Sequence, residues 1–196
     1  MNKVACKVCG ALVLWDTAAR NDGKCAPCHD GTRERIESAK KWHHEERERE
    51  KTDPLRRLWR DLVHRAYETP NGFASFSEAE RQYFAVGLLE GDVHNGGFDQ
   101  YFYNSSGDYY RYAIEGLEAM GALQALELLR RAKQVLFGFE EPEPDTERRR
   151  VLLRATVDAS RSKRLASLDA LFYEDPDSLG SKVEQFAKDR GLVSVA

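Results

Sequence analysis

Four cysteines, all within the first 28 residues, are the side chains of this chain best suited to chemistry. They form two pairs, Cys6-Lys-Val-Cys9 and Cys25-Ala-Pro-Cys28, with 15 residues between them. Thiolates spaced C-x2-C approach one ion from a tight turn, and two such pairs complete the tetrahedron of a structural Zn2+ site. Disulfides fit poorly with an N-terminus, MNKVACKVCG, that carries no long apolar signal segment. A thioredoxin-type motif uses one pair beside a βαβ unit, not two. His29 neighbours Cys28, but four thiolates need no further ligand.

A second constellation lies mid-chain, where Glu90, Asp92, His94, Asn95 and Asp99 surround Gly96-Gly97. Carboxylates beside a histidine can hold a metal or move a proton. No nucleophile motif, phosphate-binding glycine loop or H-E-x-x-H pattern accompanies them. The chain is therefore expected not to be an enzyme, with a hydrolase centred on Glu90, Asp92 and His94 as an alternative. Asn95 is expected to turn or cap backbone, and Glu90 to bond the N–H groups that a glycine corner frees.

The elements that must position these groups follow from hydrophobic periodicity. Residues 1–30 read as a zinc ribbon, with Ala11–Trp15 as a strand and Asp16–Gly23 as a polar loop. Residues 31–52 are nearly all charge, with Glu and Lys/Arg spaced for i,i+3 and i,i+4 pairs, which predicts a solvated helical connector. His43-His44 point in different directions on such a helix and read as surface residues. Residues 53–196 carry helical spacing throughout and no strand pattern, which predicts an all-helical domain of six to eight helices. Pro54 opens its first helix, with Leu55, Leu58, Trp59, Leu62, Val63 and Ala66 as its stripe. Ser77 and Glu80 form a capping box, and Asp145 or Thr146 caps a helix whose apolar residues are Val151, Leu152, Ala155 and Val157. Ser181 with Glu184 is expected to cap the last helix. Gly96-Gly97 should break the central helix, after which Phe98, Tyr101 and Phe102 share one face. The fold class is mainly α, with a small ribbon in front.

The central stretch EGDVHNGGFDQYFYNSSGD, followed by a Leu-rich helix and then by Leu168-Asp169 and Phe172-Tyr173, resembles the helical domain of the DNA mimic protein family. The similarity covers about residues 55–190, with Asn95, Gly96, Gly97, Phe98, Gln100, Tyr101, Phe102 and Asn104 as a signature whose role reads as structural. The resemblance implies an all-helical bacterial protein whose acidic surface imitates duplex DNA and occupies the DNA-binding face of a transcription factor.

Charge is compatible with that implication. Residues 53–145 hold 9 Lys/Arg and 16 Asp/Glu, whereas residues 146–196 hold 10 and 8. An acidic middle repels phosphates and suits a basic partner, a transcription factor or a nuclease. Candidate partner-binding carboxylates are Glu90, Asp92, Asp99, Asp108, Glu115, Glu118, Glu140, Glu141, Glu143 and Asp145, with surface tyrosines beside them. The alternative is a nucleic-acid-associated protein that works through the ribbon, where Lys3, Lys7, Arg20 and Lys24 are diluted by Asp16, Asp22 and Asp30. A homodimer is a further expectation. No run approaches the roughly 20 apolar residues of a membrane span, and the expected location is the cytoplasm.

Overall fold

The computed structural model describes residues 2–194, the side chain of residue 50 excepted. It divides into two compact units, residues 1–53 and 54–196.

In the first unit, β1 (Lys3–Ala5) and β2 (Leu12–Leu14) form an antiparallel pair in which Lys3 faces Leu14 and Ala5 faces Leu12. The connecting turn is closed by Cys6 N–H donating to Ala11 O at 2.9 Å and Gly10 N–H to Cys6 O at 2.9 Å. The stretch read as a polar loop is instead mostly helical: α1 spans Trp15–Arg20. Polarity misled there. Trp15–Arg20 has neither Gly nor Pro, buries Ala18, and sets Asp16 in the first turn and Arg20 in the last, as the helix dipole favours. Next come α2 (Ala26–His29) and α3 (Arg33–Thr52). Ion pairs such as Arg33–Glu37 at 3.1 Å and Lys51–Glu48 at 2.7 Å run along α3.

The second unit holds seven α-helices among the described residues: α4 (Pro54–Glu68), α5 (Glu78–Tyr103), α6 (Tyr110–Ala119), α7 (Leu123–Phe137), α8 (Thr146–Ala155), α9 (Ala159–Tyr173) and α10 (Leu179–Asp189). Short 3-10 turns at Gly72–Ser75 and Ser105–Tyr109 join the first of them. The centre is α5, which packs on α4, α6, α7, α8, α9 and α10 and sends Phe84, Val86, Leu89, Val93, Phe98, Tyr101 and Phe102 into the core. The capping box is present: Glu80 N–H donates to Ser77 Oγ at 3.3 Å, and Ser77 N–H to Glu80 Oε2 at 2.8 Å. Asp145 caps α8 through Arg148 N–H at 2.8 Å.

Two local expectations are corrected. The last helix begins at Leu179, whose N–H is accepted by Asp175 Oδ1 at 2.7 Å, so Ser181 does not cap it. On α8, Val151, Leu152 and Val157 beyond its end are exposed, and Arg149 and Leu153 face inward instead. A chain partner also caps α7: Asp177 Oδ2 accepts the N–H groups of Gln124 and Ala125, each at 2.8 Å. Among the described residues no helix is long and apolar enough to cross a membrane.

Candidate metal centre and partner-binding surface

The turn after β1 brings Cys6 and Cys9 to one point, and the start of α2 brings Cys25 and Cys28 to the same point. All four are free thiols, and their Sγ atoms lie within 4.8 Å of one another. Cys9 and Cys25 Sγ are 3.7 Å apart, close to the edge of about 3.8 Å that a tetrahedron with 2.3 Å zinc–sulfur bonds requires. Backbone and cation prepare the sulfurs. Cys25 N–H donates to Cys6 Sγ at 3.2 Å, and Arg33 Nη2 donates to Cys9 Sγ at 3.1 Å and Cys25 Sγ at 3.0 Å. Hydrogen bonds from the Cys25 and Cys9 backbone bring the Cys6 thiol down to about 6. Burial alone would raise Cys25, but Arg33 and the Cys28 backbone hold it below the ordinary thiol range. At Cys28 the pull of Arg33 is outweighed by burial and by the three neighbouring sulfurs, and the thiol is pushed up to about 12. Four negative sulfurs therefore resist ionising together without a cation, and a divalent ion would supply that charge. His29 Nδ1 is 2.8 Å from Asp30 Oδ1, engaged by its own neighbour.

The mid-chain constellation is held in place by a break in α5. Gly97 has φ 77° and ψ −177°, a region essentially reserved for glycine. Turning there strips two backbone partners, and α9 supplies both. Asp169 Oδ1 accepts Phe98 N–H at 2.8 Å, and Tyr173 Oη donates to Val93 O at 2.9 Å. Residues 169 and 173 share one face of α9, four apart. Phe172 meets the Phe98 ring edge-on at 5.4 Å, and His94 stacks on Tyr173 at 5.6 Å. The two segments that carry the family resemblance thus grip one another. The freed N–H goes to Asp169 rather than Glu90, which corrects that expectation.

Two outcomes follow. Alanine at 97 would bring Cβ within 2.4 Å of Asp169 Oδ2, so Gly97→Ala should lose roughly 1–3 kcal/mol in a urea titration. A Cβ at Gly91, in the same helix, meets nothing within 4 Å, and Gly91→Ala should gain about 0.5–1 kcal/mol. Glu90 is half-buried, and desolvation together with Asp175 raises its carboxyl against the opposing pull of His94. An acid raised in the folded state binds its proton more tightly there, so its contribution to stability is lost as pH climbs above the ordinary carboxylate range through the raised value. Glu90→Gln should flatten that decline and raise Tm at pH 7 but not at pH 4, read by thermal scans at both.

The candidate carboxylates are placed unequally. Asp92 Oδ1 accepts from Asn104 Nδ2 at 2.9 Å and Gln100 Nε2 at 3.4 Å, which ties the two arms of α5. Asp99 pairs with Arg161 Nη2 at 2.8 Å, Asp108 with Arg149 Nη2 at 2.7 Å, and Glu115 with Arg111 Nε at 2.9 Å. Glu141 lies 3.7 Å from Lys133 Nζ and stays exposed, while Glu118 and Glu140 are exposed with no ion pair among the described residues. Glu143 accepts Asp145 N–H at 3.1 Å. Of the signature, Gly97, Phe98, Tyr101 and Phe102 are buried, Asn95 and Gly96 are exposed, and Gln100 and Asn104 bind Asp92.

Sequence reasoning passed over the arginines that hold this arrangement. Arg149 is fully buried and donates to Phe102 O and Glu143 O at 2.6 Å, Asn104 O at 2.8 Å and Asp108 Oδ1 at 2.7 Å. Arg150 Nε donates to Tyr103 O at 2.9 Å, so α8 satisfies the carbonyls at the end of α5. Arg161 donates to Leu153 O at 2.8 Å as well as to Asp99. The only signal for Arg149 and Arg150 is the run Arg148-Arg149-Arg150, of which a helix turns one member fully inward. Residues 138–145 form an acidic loop between α7 and α8 whose Phe139 is 94% exposed. It is pinned by Lys133 Nζ donating to Phe139 O at 3.3 Å and by Arg149 on Glu143 O.

A family model described as DMP19-like protein matches residues 74–190, more than half of the chain. No curated protein and no solved structure matches it.

Proposed function

The chain belongs to the DMP19-like protein family, and from that premise we propose a non-catalytic, cytoplasmic interaction protein whose helical unit binds a basic protein. The observation that carries the reading is the loop 138–145. Glu140, Glu141, Glu143 and Asp145 surround an aromatic ring held out in solvent on a segment anchored at both ends. An exposed ring on ordered backbone is a binding anchor with little entropy left to lose, and carboxylates around it select a partner rimmed with Lys and Arg. The partner class is a DNA-binding protein, a regulator or nuclease, whose basic face takes carboxylates where phosphates would sit. In the same reading the four cysteines hold a structural Zn2+ ion.

The test is affinity for a basic protein first captured by the full chain and then purified. Phe139→Ala should weaken binding about 10–30-fold, as loss of a hot spot does, and 0.5 M NaCl should weaken it further. Unchanged affinity in both arms would sink the reading.

One observation favours a second reading. On the ribbon, Leu12, Leu14 and Trp15 are exposed, Trp15 by 59%, with Lys3 opposite Leu14. An exposed aromatic on a unit that carries lysines is a component of a single-strand stacking platform. Binding of a labelled oligonucleotide by the full chain, abolished by Trp15→Ala, would promote a nucleic-acid-associated ribbon over the first reading.

A further inference from the structure

We propose that Arg33 is a positioning residue for the metal of the four-cysteine centre, and that through it metal loading orders the charged helix α3. The proposal rests on the metal reading above and goes beyond it.

Arg33 is the first residue of α3 and contributes nothing to a hydrophobic core. Its guanidinium spans two chemistries: Nη2 donates to the sulfurs of Cys9 and Cys25, and Nη1 donates to Glu37 Oε1 at 3.1 Å, one turn along the same helix. A zinc ion with four thiolates carries two negative charges. A guanidinium held against two of the sulfurs halves that charge, fixes the sulfurs in direction, and makes them poorer at capturing a proton or attacking an electrophile.

The helix has its own need for the contact. Thr32 offers no side-chain cap, so the first N–H groups of α3 rely on other partners. Among the described side chains the large apolar ones are Ile36, half-buried, and Trp42, exposed. A 20-residue helix with so little apolar surface to pack is marginal in water, and i,i+3 and i,i+4 pairs add only a few tenths of a kcal/mol each. An anionic metal centre within reach of its first side chain opposes the positive end of the helix dipole and pins the first turn. The nucleus that helix formation finds costly is then supplied by the metal site. Metal loss releases the sulfurs, frees Arg33, and lets the first turns of α3 fray, so the connector is stiff when loaded and compliant when empty.

The experiment uses the full chain, as wild type, Arg33→Met, Arg33→Lys and Glu37→Gln. Zinc affinity is read by competition with a chromogenic chelator, and amide exchange is followed across residues 36–48 with and without zinc. Wild type should bind one zinc per chain, with exchange across 36–48 slowed at least tenfold on loading. Arg33→Met should still bind one zinc but 10–100-fold more weakly, with the zinc-dependent protection lost, and Arg33→Lys should recover part of both. Glu37→Gln should keep the affinity and lose part of the protection. Wild-type affinity and protection in Arg33→Met would overturn the proposal, and weakened zinc with intact protection would overturn the coupling to α3. A wild type that binds no zinc would instead overturn the metal reading itself.

Discussion

Replacing Arg149 with methionine should remove about 3–5 kcal/mol from the stability of the helical unit, the largest loss expected of any single side chain in it. The guanidinium is fully buried and closes four acceptors from three stretches of chain: the end of α5, the following 3-10 turn and the loop before α8. Methionine fills similar volume but donates nothing. Phe102 O, Glu143 O and Asn104 O would lose their charged donor, and Asp108 would lose its cation. The guanidinium packs closely on the 3-10 turn, where a Cβ at Gly107 would lie 3.0 Å from Arg149 Nε. The neighbouring Arg148 is exposed, and Arg148→Met should stay within about 0.5 kcal/mol of wild type. Urea unfolding of the full chain distinguishes the two, and a loss below about 1 kcal/mol for Arg149→Met would show that the bonds contribute little. The same substitution should loosen the acidic loop, because Arg149 holds Glu143 O, and so weaken partner binding through Phe139.

What the sequence revealed and what it hid divide along the reach of each interaction. The cysteine pairs, the capping box at Ser77, the Asp145 cap and the break at Gly96-Gly97 are written in residues a few positions apart, and each stands where its spacing placed it. The partners that complete them are remote. Asp169 meets Phe98 across 71 residues, Tyr173 meets Val93 across 80, and Asp177 caps α7 across 52 or more. No periodicity encodes such pairs, because they form only once the helices have packed. The phase of α8 failed for a related reason. Periodicity assumes that apolar side chains turn inward, but here a buried arginine claims the inner face with Leu153 and leaves Val151 and Leu152 outside. Ion pairing is remote in the same way: Asp99 and Asp108 look like free carboxylates in the sequence, and their arginines arrive from 41 to 62 residues away.

If the four cysteines hold the proposed Zn2+, removing it should unfold the ribbon outright. Among the described residues of the first unit, the buried apolar side chains are Cys6, Ala18 and Cys25, and two of these three belong to the four-cysteine cluster. Two three-residue strands and helices of six and four residues cannot bury enough surface to offset the entropy of ordering them. The proposed Zn2+ would supply the difference, on the order of 10 kcal/mol for a structural zinc site at neutral pH. With excess chelator, or with Cys25→Ser, amides of residues 3–14 should exchange at nearly unfolded rates, and zinc should restore protection only in the chelated wild type. The helical unit has a separate hydrophobic core, built from Leu62 through Val193, and its amides should stay protected throughout. Strands that remain protected in chelator would mean that the hydrogen bonds of the turn at Cys6–Ala11 suffice without an ion. Affinity should also fall as pH drops, because the proton on Cys28, whose thiol is pushed up to about 12, must leave before the fourth sulfur can ligate, and the fall should steepen below about 6, where Cys6 takes up a proton too.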